Sequence, residues 1–242
     1  MIHKAFKILE ALSNRNFKNT TIRDISEETG ITHSAVHRIL QSLAKEDIVT
    51  YIPGQGYILT PKLLTLGLKT VMQKGLFEIA IPVMRGLVNL SQETVSLNVP
   101  SGSERICLYR VEGSYPISRL IKIGEKGPLF RGAVGKVIAA GFSQREVESL
   151  IELYISKGLI KEADASGIIA ETESVREKGF AISIGERIEN SASIAVPIKD
   201  MAGVTQGTLS ISTLADRIEL EEDRQRYVEL LVDAVKQIDY RF

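Results

Sequence analysis

Residues Thr20–Thr60 read TTIRDISEETGITHSAVHRILQSLAKEDIVTYIPGQGYILT, and this stretch decides the fold of the N-terminal part of the chain. Its apolar residues predict an amphipathic helix over Ile22–Thr29. Thr21 precedes that helix, and Asp24 stands three positions later, which is the spacing of a capping box. Gly30 follows the helix at once and predicts the left-handed residue that commonly ends a helix.

A second helix is predicted directly after this glycine turn. Thr32 is its expected N-cap, and the spacing of apolar residues predicts helix over His33–Lys45. A third amphipathic helix is predicted upstream, over residues 2–13. Two helices joined by a short turn that contains glycine form a helix-turn-helix.

A β-hairpin is predicted immediately after these helices. Two strand-like runs, Ile48–Ile52 and Tyr57–Thr60, flank the turn sequence Pro53-Gly54-Gln55-Gly56. A hairpin in this position is a wing that approaches the DNA backbone or minor groove, with Gln55 at its tip. Pro61 then begins another helix that reaches about Lys74.

The outer face of the His33–Lys45 helix carries short or forked polar groups, which reach base edges and phosphates in a major groove. The alternative is a small helical bundle whose polar face is merely solvated. Helix, glycine turn, caps and hairpin occur together and in order, which favours DNA binding. The candidate DNA-binding residues are Thr21, Thr32, His33, Ser34, His37, Arg38, Gln41 and Gln55.

The charge distribution agrees with this division. The chain has 242 residues with 30 basic and 30 acidic side chains, so its formal net charge is zero. Residues 1–75 carry ten Lys/Arg and six Asp/Glu, a net of +4, and the remainder carries −4. A basic segment beside an acidic one is typical of a nucleic-acid-binding module joined to a second domain.

Composition excludes several classes of protein. No apolar run approaches the ~18 residues of a membrane span, and the N-terminus lacks a signal-peptide pattern. Cys107 is the single cysteine, so an intramolecular disulfide is impossible. We therefore expect a cytoplasmic protein without membrane contact. His33 and His37 have a zinc-compatible spacing, but the H-E-x-x-H pattern is missing, and no metal or cofactor is expected.

The second segment predicts an α+β domain with an antiparallel sheet flanked by helices. Strands and helices alternate in blocks, and Pro82 predicts a break or kink in the first of these helices. The predicted strands are 94–99, 105–111, 117–123, 180–184, 193–198 and 205–212. The predicted helices are 75–91, 131–142, 144–157, 169–178 and 220–240.

Catalytic chemistry finds little support in this segment. No histidine follows His37, so a histidine general base is missing. Gly132–Lys136 has some likeness to a phosphate-binding loop, but Phe130 and Val137 occupy positions where that motif requires Gly and Ser or Thr. Cys107 lies in a predicted strand, which favours a buried, inert thiol.

Three segments of the chain resemble the IclR family of bacterial and archaeal transcriptional regulators. They are PLFRGAVGK at Pro128–Lys136, GFAISIGER at Gly179–Arg187 and SIAVPI at Ser193–Ile198, behind a winged helix-turn-helix. The resemblance covers essentially the whole chain. It implies a winged helix-turn-helix DNA-binding domain at 1–60, a linker helix at 61–75 and a GAF-like effector-binding and oligomerisation domain at 76–242.

The resemblance also implies partners and a ligand pocket. Family members are homodimers, often paired into tetramers, that bind a double-stranded DNA operator and respond to a small-molecule effector, usually an organic acid or aromatic metabolite. The implied effector-binding residues are Arg119, Leu129, Ala133, Val134, Ser183 and Ser193.

Three positions depart from the family pattern. Ser183 stands where Asp is common, Ser193 stands where some members have Cys, and Asn190 replaces a usual Gly. Loss of the acid while Arg119 remains makes the pocket less acidic, which favours an anionic ligand. We therefore expect a small carboxylate, unless Arg119 simply pairs with a surface glutamate.

Two other functional classes remain open at this point. One is a small-molecule-binding enzyme or sensor whose winged module contacts proteins; activity in the 76–242 fragment would support it. The other is a structural helical adaptor. DNA binding that weakens steeply with salt would favour a transcriptional regulator over both.

Overall fold

The computed structural model of the chain describes residues 1–14, 20–72, 75–114 and 122–239. The chain divides into two compact units, Met1–Lys74 and Gly75–Phe242. None of the described helices has both the length and the apolar composition needed to cross a membrane.

The first unit contains the predicted helix-turn-helix and hairpin, which confirms the winged architecture. Eight buried apolar side chains, from Ile8 to Val49, form its core. Its elements are α1 (Ile2–Ser13), α2 (Ile22–Thr29), α3 (His33–Lys45), β1 (Val49–Ile52), β2 (Gly56–Leu59) and α4 (Lys62–Met72).

Local signals in the sequence set the turn between α2 and α3. The capping box predicted for Thr21 and Asp24 is confirmed: the Asp24 amide donates to the Thr21 hydroxyl, and the Thr21 amide donates to the Asp24 carboxylate. Gly30 adopts the left-handed conformation with φ of 69°, also as predicted. The side chain of Ile31 then turns back into the core, where it is 5% exposed.

The wing is fixed to the rest of its unit by a close backbone approach. Thr20 forms a parallel bridge with Gly56: its amide donates to the Gln55 carbonyl, and its carbonyl accepts from the Tyr57 amide. A Cβ atom on Gly56 would lie 2.3 Å from the Thr20 carbonyl oxygen, so only glycine fits. These backbone bonds therefore attach the hairpin to Thr20, which lies just before α2.

The second unit is an α+β domain with one antiparallel sheet, as predicted. Two short 3₁₀ helices cover Glu162–Asp164 and Ala215–Ile218. Its helices are α5 (Leu76–Ser91), α6 (Ala133–Ala140), α7 (Gln144–Ser156), α8 (Ala165–Lys178) and α9 (Glu221–Asp239). Its strands are β3 (Thr94–Ser101), β4 (Glu104–Val111), β5 (Lys126–Pro128), β6 (Ala181–Ile184), β7 (Ser191–Lys199) and β8 (Thr205–Leu214).

The two faces of the sheet are covered by different helices. The strand order is β5-β4-β3-β8-β7-β6. The first strand of the domain, β3, therefore pairs with the last strand, β8, at the centre of the sheet. One face packs on α5 and α9 in a large apolar core. The other face lies under α6, whose eight residues are all buried. Both faces of the sheet are thus shielded from water, one by α5 and α9 and the other by α6.

One predicted feature of the second unit is wrong, one lies mostly outside the described residues, and one strand was not predicted. Helix α5 continues through Pro82, so the predicted break is wrong, while the alternative of a kink stays a prediction. Pro82 has no N–H to donate to the Glu78 carbonyl, but both residues are exposed, so water can satisfy that carbonyl. Most of the predicted strand 117–123 lies outside the described residues. Strand β5 was not predicted, because three residues, KGP, carry no periodic signal.

We expect Gly135→Ala to lower the free energy of unfolding by about 2 kcal/mol or more. The new Cβ would lie 2.3 Å from the Pro128 carbonyl oxygen, so α6 would have to move. Gly86→Ala is the matched control, since Gly86 lies exposed inside α5 with open space around it and should gain up to about 1 kcal/mol. Urea unfolding of both variants measures the difference; equal stabilities would contradict the packing argument.

Candidate functional site

The residues expected to bind DNA lie on the first unit, and all eight are exposed. His33, Ser34, His37, Arg38 and Gln41 lie on α3, where the His37 ring and the Gln41 amide approach within 3.5 Å. Gln55 lies at the tip of the hairpin. The structure thus brings most of the predicted set to one helix and one turn.

The two threonines expected to position the backbone differ in their partners. The Thr21 hydroxyl donates to Asp24 at 2.7 Å and accepts from its amide, so it is engaged within α2. Thr32 makes no capping bond with its side chain, and the first turn of α3 contains no acidic residue. The amides at the start of α3 are therefore available to a phosphate oxygen.

Arg38 also borders a groove between α1 and α3. The groove is lined by Arg38 and Ser42 and by five apolar residues, Met1, Ile2, Ala5, Ile39 and Leu43. Ile2 and Phe6 on α1 are exposed by 76% and 60%. Helix α1 thus exposes two large apolar side chains, whereas the exposed candidate residues of α3 are polar.

The second unit contains a cavity at the start of α6, which we call the α6 cavity. Its volume is about 80 Å³, room for about six water-sized groups at roughly 10–15 Å³ each. Four of the residues predicted to bind an effector line it: Ala133, Val134, Ser183 and Ser193. The other lining residues are Arg105, Glu125, Arg131, Gly132, Glu186, Arg187, Ile188, Ser191, Ala192, Ser212 and Thr213.

A row of hydroxyl groups crosses the sheet beneath this cavity. Thr94 pairs with Ser212, Ser212 with Ser193, and Ser193 with Ser183, so four neighbouring strands place a hydroxyl residue at the same level. The next residues inward, Ser96 and Ser210, bond to each other through their hydroxyls at 2.8 Å. The floor of the cavity is therefore neutral and rich in hydrogen-bonding groups.

The N-terminus of α6 faces the cavity without an internal cap. Gly132, its N-cap residue, has φ of 80° and supplies no side chain, and the first turn holds no acid. Ala133 and Val134 both line the cavity. The first amides of a helix have no partner within the helix, so these two can donate to an anion.

Lys136 connects this helix to two other segments. Its ammonium donates to Glu171 on α8 at 2.5 Å and to Glu186 in the β6–β7 loop at 2.6 Å. The other oxygen of Glu186 accepts the Gly132 amide at 2.9 Å. Burial alone would raise the pKa of Glu186, but the bonds from Lys136 and Gly132 outweigh it and lower that pKa below its ordinary value.

Sequence reasoning missed three charged residues that line the cavity, Arg105, Glu125 and Arg187. Arg187 donates to Glu125 at 2.9 Å, and both are about one-third exposed. Arg105, on β4, is only 2% exposed, and its NH1 donates to the Asn98 amide oxygen at 2.9 Å. The available signal was the alternation of polar Ser96 and Asn98 with apolar residues on a strand that is buried on both faces.

Two predicted effector-binding residues do not join this set. Leu129 is fully buried in the core behind α6, and its amide donates to the Tyr154 hydroxyl. Arg119 lies outside the described residues.

Cys107 is buried, and burial raises the pKa of its thiol, as expected of an inert cysteine. Within the described ranges, no cluster of three or more His, Cys, Asp or Glu side chains is placed to bind a metal.

Comparison with known proteins gives a consistent result over the whole chain. Residues 2–53 match the IclR helix-turn-helix domain, and residues 68–240 match the family described as bacterial transcriptional regulator IclR C-terminal. The HTH-type transcriptional regulator KdgR of Escherichia coli (strain K12) is 30% identical, over 97% of this chain and 89% of its own.

Solved structures share the fold. An IclR transcriptional regulator from Alicyclobacillus acidocaldarius superposes with a TM-score of 0.80 at 21% identity, over 99% of this chain and 97% of that one. An IclR homologue from Microbacterium hydrocarbonoxydans, crystallised with 4-hydroxybenzoate, gives a TM-score of 0.81 at 21% identity over the same shares.

We expect Lys136→Met to lower the free energy of unfolding by about 2 kcal/mol at neutral pH, because it leaves Glu186 without its main partner. The lowered pKa of Glu186 means that its ionised form stabilises the fold above the unfolded-state pKa of about 4.3, and that this contribution is lost as pH falls through the folded value. The difference in unfolding free energy between wild type and Lys136→Met should therefore be smaller at acid pH, below about 4.3, than at neutral pH.

Lys126→Met is the control for this experiment, since Lys126 is exposed on the edge strand β5. Its effect on urea unfolding should be small at both pH values. A gap for Lys136→Met that stayed constant from neutral to acid pH would contradict the role given to the Glu186 carboxylate.

Proposed function

The chain belongs to the IclR family of transcriptional regulators, and from that premise we propose that a small carboxylate bound in the α6 cavity changes its affinity for DNA. The observation that carries this proposal is the cavity itself. It joins the uncapped start of α6 to a row of serine hydroxyls in a site of limited volume. Such a site suits a compact anion with hydrogen-bonding groups.

The DNA-binding face of the proposal is the exposed surface of α3 with the hairpin tip. Arg38, His37 and Gln41 are the side chains that we expect to enter the major groove, while Gln55 approaches the backbone or minor groove. The amides at the start of α3, next to Thr32, are expected to contact a phosphate. The net charge of +4 on residues 1–75 supports this placement.

A related protein of the same fold supports the effector side of the proposal. The Microbacterium homologue was crystallised with 4-hydroxybenzoate, an aromatic carboxylate. The α6 cavity has a volume of about 80 Å³, which favours a smaller acid of roughly six non-hydrogen atoms.

We further propose that the protein acts as a homodimer, and that two dimers can form a tetramer. The exposed apolar residues of α1 and the groove beside Arg38 support a contact between copies. Two recognition helices related by two-fold symmetry would read half-sites about 34 Å apart or a multiple of that distance. Ligand binding would favour one dimer arrangement and so change that separation.

Action by binding, without catalysis, is part of the same proposal. The second unit has no histidine, and its single cysteine is buried. A nucleophile activated by a neighbouring base therefore finds no support there.

Arg38→Ala should weaken binding to a DNA fragment selected from a random pool by roughly 1–3 kcal/mol, because Arg38 is expected to read a guanine or hold a phosphate. Arg226→Ala is the control, since Arg226 is exposed on α9 in the other unit. Fluorescence anisotropy at several salt concentrations measures both affinities. An unchanged affinity for Arg38→Ala would remove Arg38 from the interface.

Ser193→Leu should abolish the response to carboxylates, because the larger side chain fills the α6 cavity. The measurement is the DNA affinity of the full chain with and without millimolar sodium salts of small carboxylic acids. Ser149→Leu, on the exposed face of α7, should respond like wild type. If Ser193→Leu kept the wild-type response, the ligand would bind elsewhere.

A further inference from the structure

We propose that Arg105 selects the ligand of the α6 cavity, and that its Nε and NH2 groups receive the carboxylate of a small organic acid. The inference rests on the proposed function and deepens it, because it names the residue that distinguishes an anion from a neutral molecule. No sequence motif indicates Arg105, whose role follows from its surroundings in the fold.

Arg105 is a buried cation with few partners. It is the largest of the fully buried side chains, at 2% exposed, and it lines the α6 cavity. Its NH1 donates to Asn98, but its Nε and NH2 donate to no residue in the described part of the chain. A guanidinium has five N–H groups and no way to lose its charge near neutral pH, so a buried one requires acceptors.

The fold holds this guanidinium in place by two contacts. Asn98 accepts from NH1 and itself donates to Ser96 at 3.0 Å, so the amide orientation is fixed by the serine beneath it. Gly127 pairs with Arg105 across β4 and β5, and a Cβ atom there would lie 2.8 Å from both Nε and NH2. The absence of a side chain at Gly127 therefore makes room for the guanidinium.

The neighbouring charges leave Arg105 without a carboxylate of its own. Glu125 bonds to Arg187 at 2.9 Å, and Glu186 bonds to Lys136 and to the Gly132 amide. Burial lowers the pKa of Arg105, the nearby Arg187 lowers it further, and Glu125 only partly offsets both. An anion that entered the cavity would relieve this unfavourable burial.

The other groups around the cavity limit what the anion can be. The hydroxyls of Ser193 and Ser212 offer neutral hydrogen bonds to the remainder of the ligand. The volume of about 80 Å³ admits an acid of up to roughly six non-hydrogen atoms. The structure thus favours short carboxylates over bulky or neutral ligands.

The test measures the binding of sodium carboxylates of up to roughly six non-hydrogen atoms to the full chain by calorimetry and thermal shift. Each acid is compared with its uncharged primary amide. Wild type should bind at least one acid roughly tenfold or more tightly than its amide. Arg105→Gln should bind acid and amide about equally. Arg145→Gln, exposed on α7, is the charge-matched control and should behave like wild type.

Thermal unfolding without ligand separates a binding role from a structural one. A glutamine can still donate to Asn98, and the substitution removes a poorly compensated buried charge, so Arg105→Gln should unfold at the wild-type temperature or above it. A lower unfolding temperature together with retained preference for the acid would assign Arg105 a structural role and overturn the inference.

Two further outcomes separate this inference from the proposed function. If wild type bound an acid and its amide equally, with both abolished by Ser193→Leu, the cavity would still be an effector site but Arg105 would not select its charge. If no acid or amide bound and DNA affinity never responded, the inference and the proposed function would fail together.

Discussion

The contact between Lys136 and Glu186 is the interaction on which the rest of the C-terminal site depends. Glu186 binds the ammonium with one oxygen and the Gly132 amide with the other, so it fixes the start of α6 against the β6–β7 loop. The amide that Glu186 accepts in the described part of the chain is that of Gly132, which precedes the amides of Ala133 and Val134. The same pair therefore builds the cavity wall and leaves its donors available.

The sheet makes this arrangement possible because its two faces have different chemistry. Along β3 and β8, apolar residues such as Leu97 and Ile211 point into the core under α5 and α9, and serines alternate with them toward α6. Buried hydroxyls are tolerated because Ser96, Ser210 and Asn98 bond to one another. A fully apolar sheet would pack as well but could not orient Arg105.

Sequence reasoning reached the parts of the molecule that local signals determine. The capping box at Thr21, the left-handed Gly30 and the hairpin turn each depend on a few adjacent residues, and each was predicted. The continuation of α5 through Pro82 was not predicted, because an exposed helix can leave one carbonyl to bond with water. Arg105 was missed for a different reason: its partners Asn98 and Gly127 are seven and 22 positions away, and only the strand register brings them together.

The net charge of the whole chain is a poor guide to either proposed binding surface. The whole chain is neutral, yet residues 1–75 carry +4. The remainder is acidic, yet its cavity is lined by three arginines and two glutamates, and both glutamates are already paired with basic side chains. A ligand in the cavity would meet the charge left after those pairs form, which is positive at the buried Arg105 and the exposed Arg131. An acidic domain can therefore hold an anion, because pairing over a few ångströms outweighs the screened field of distant surface groups.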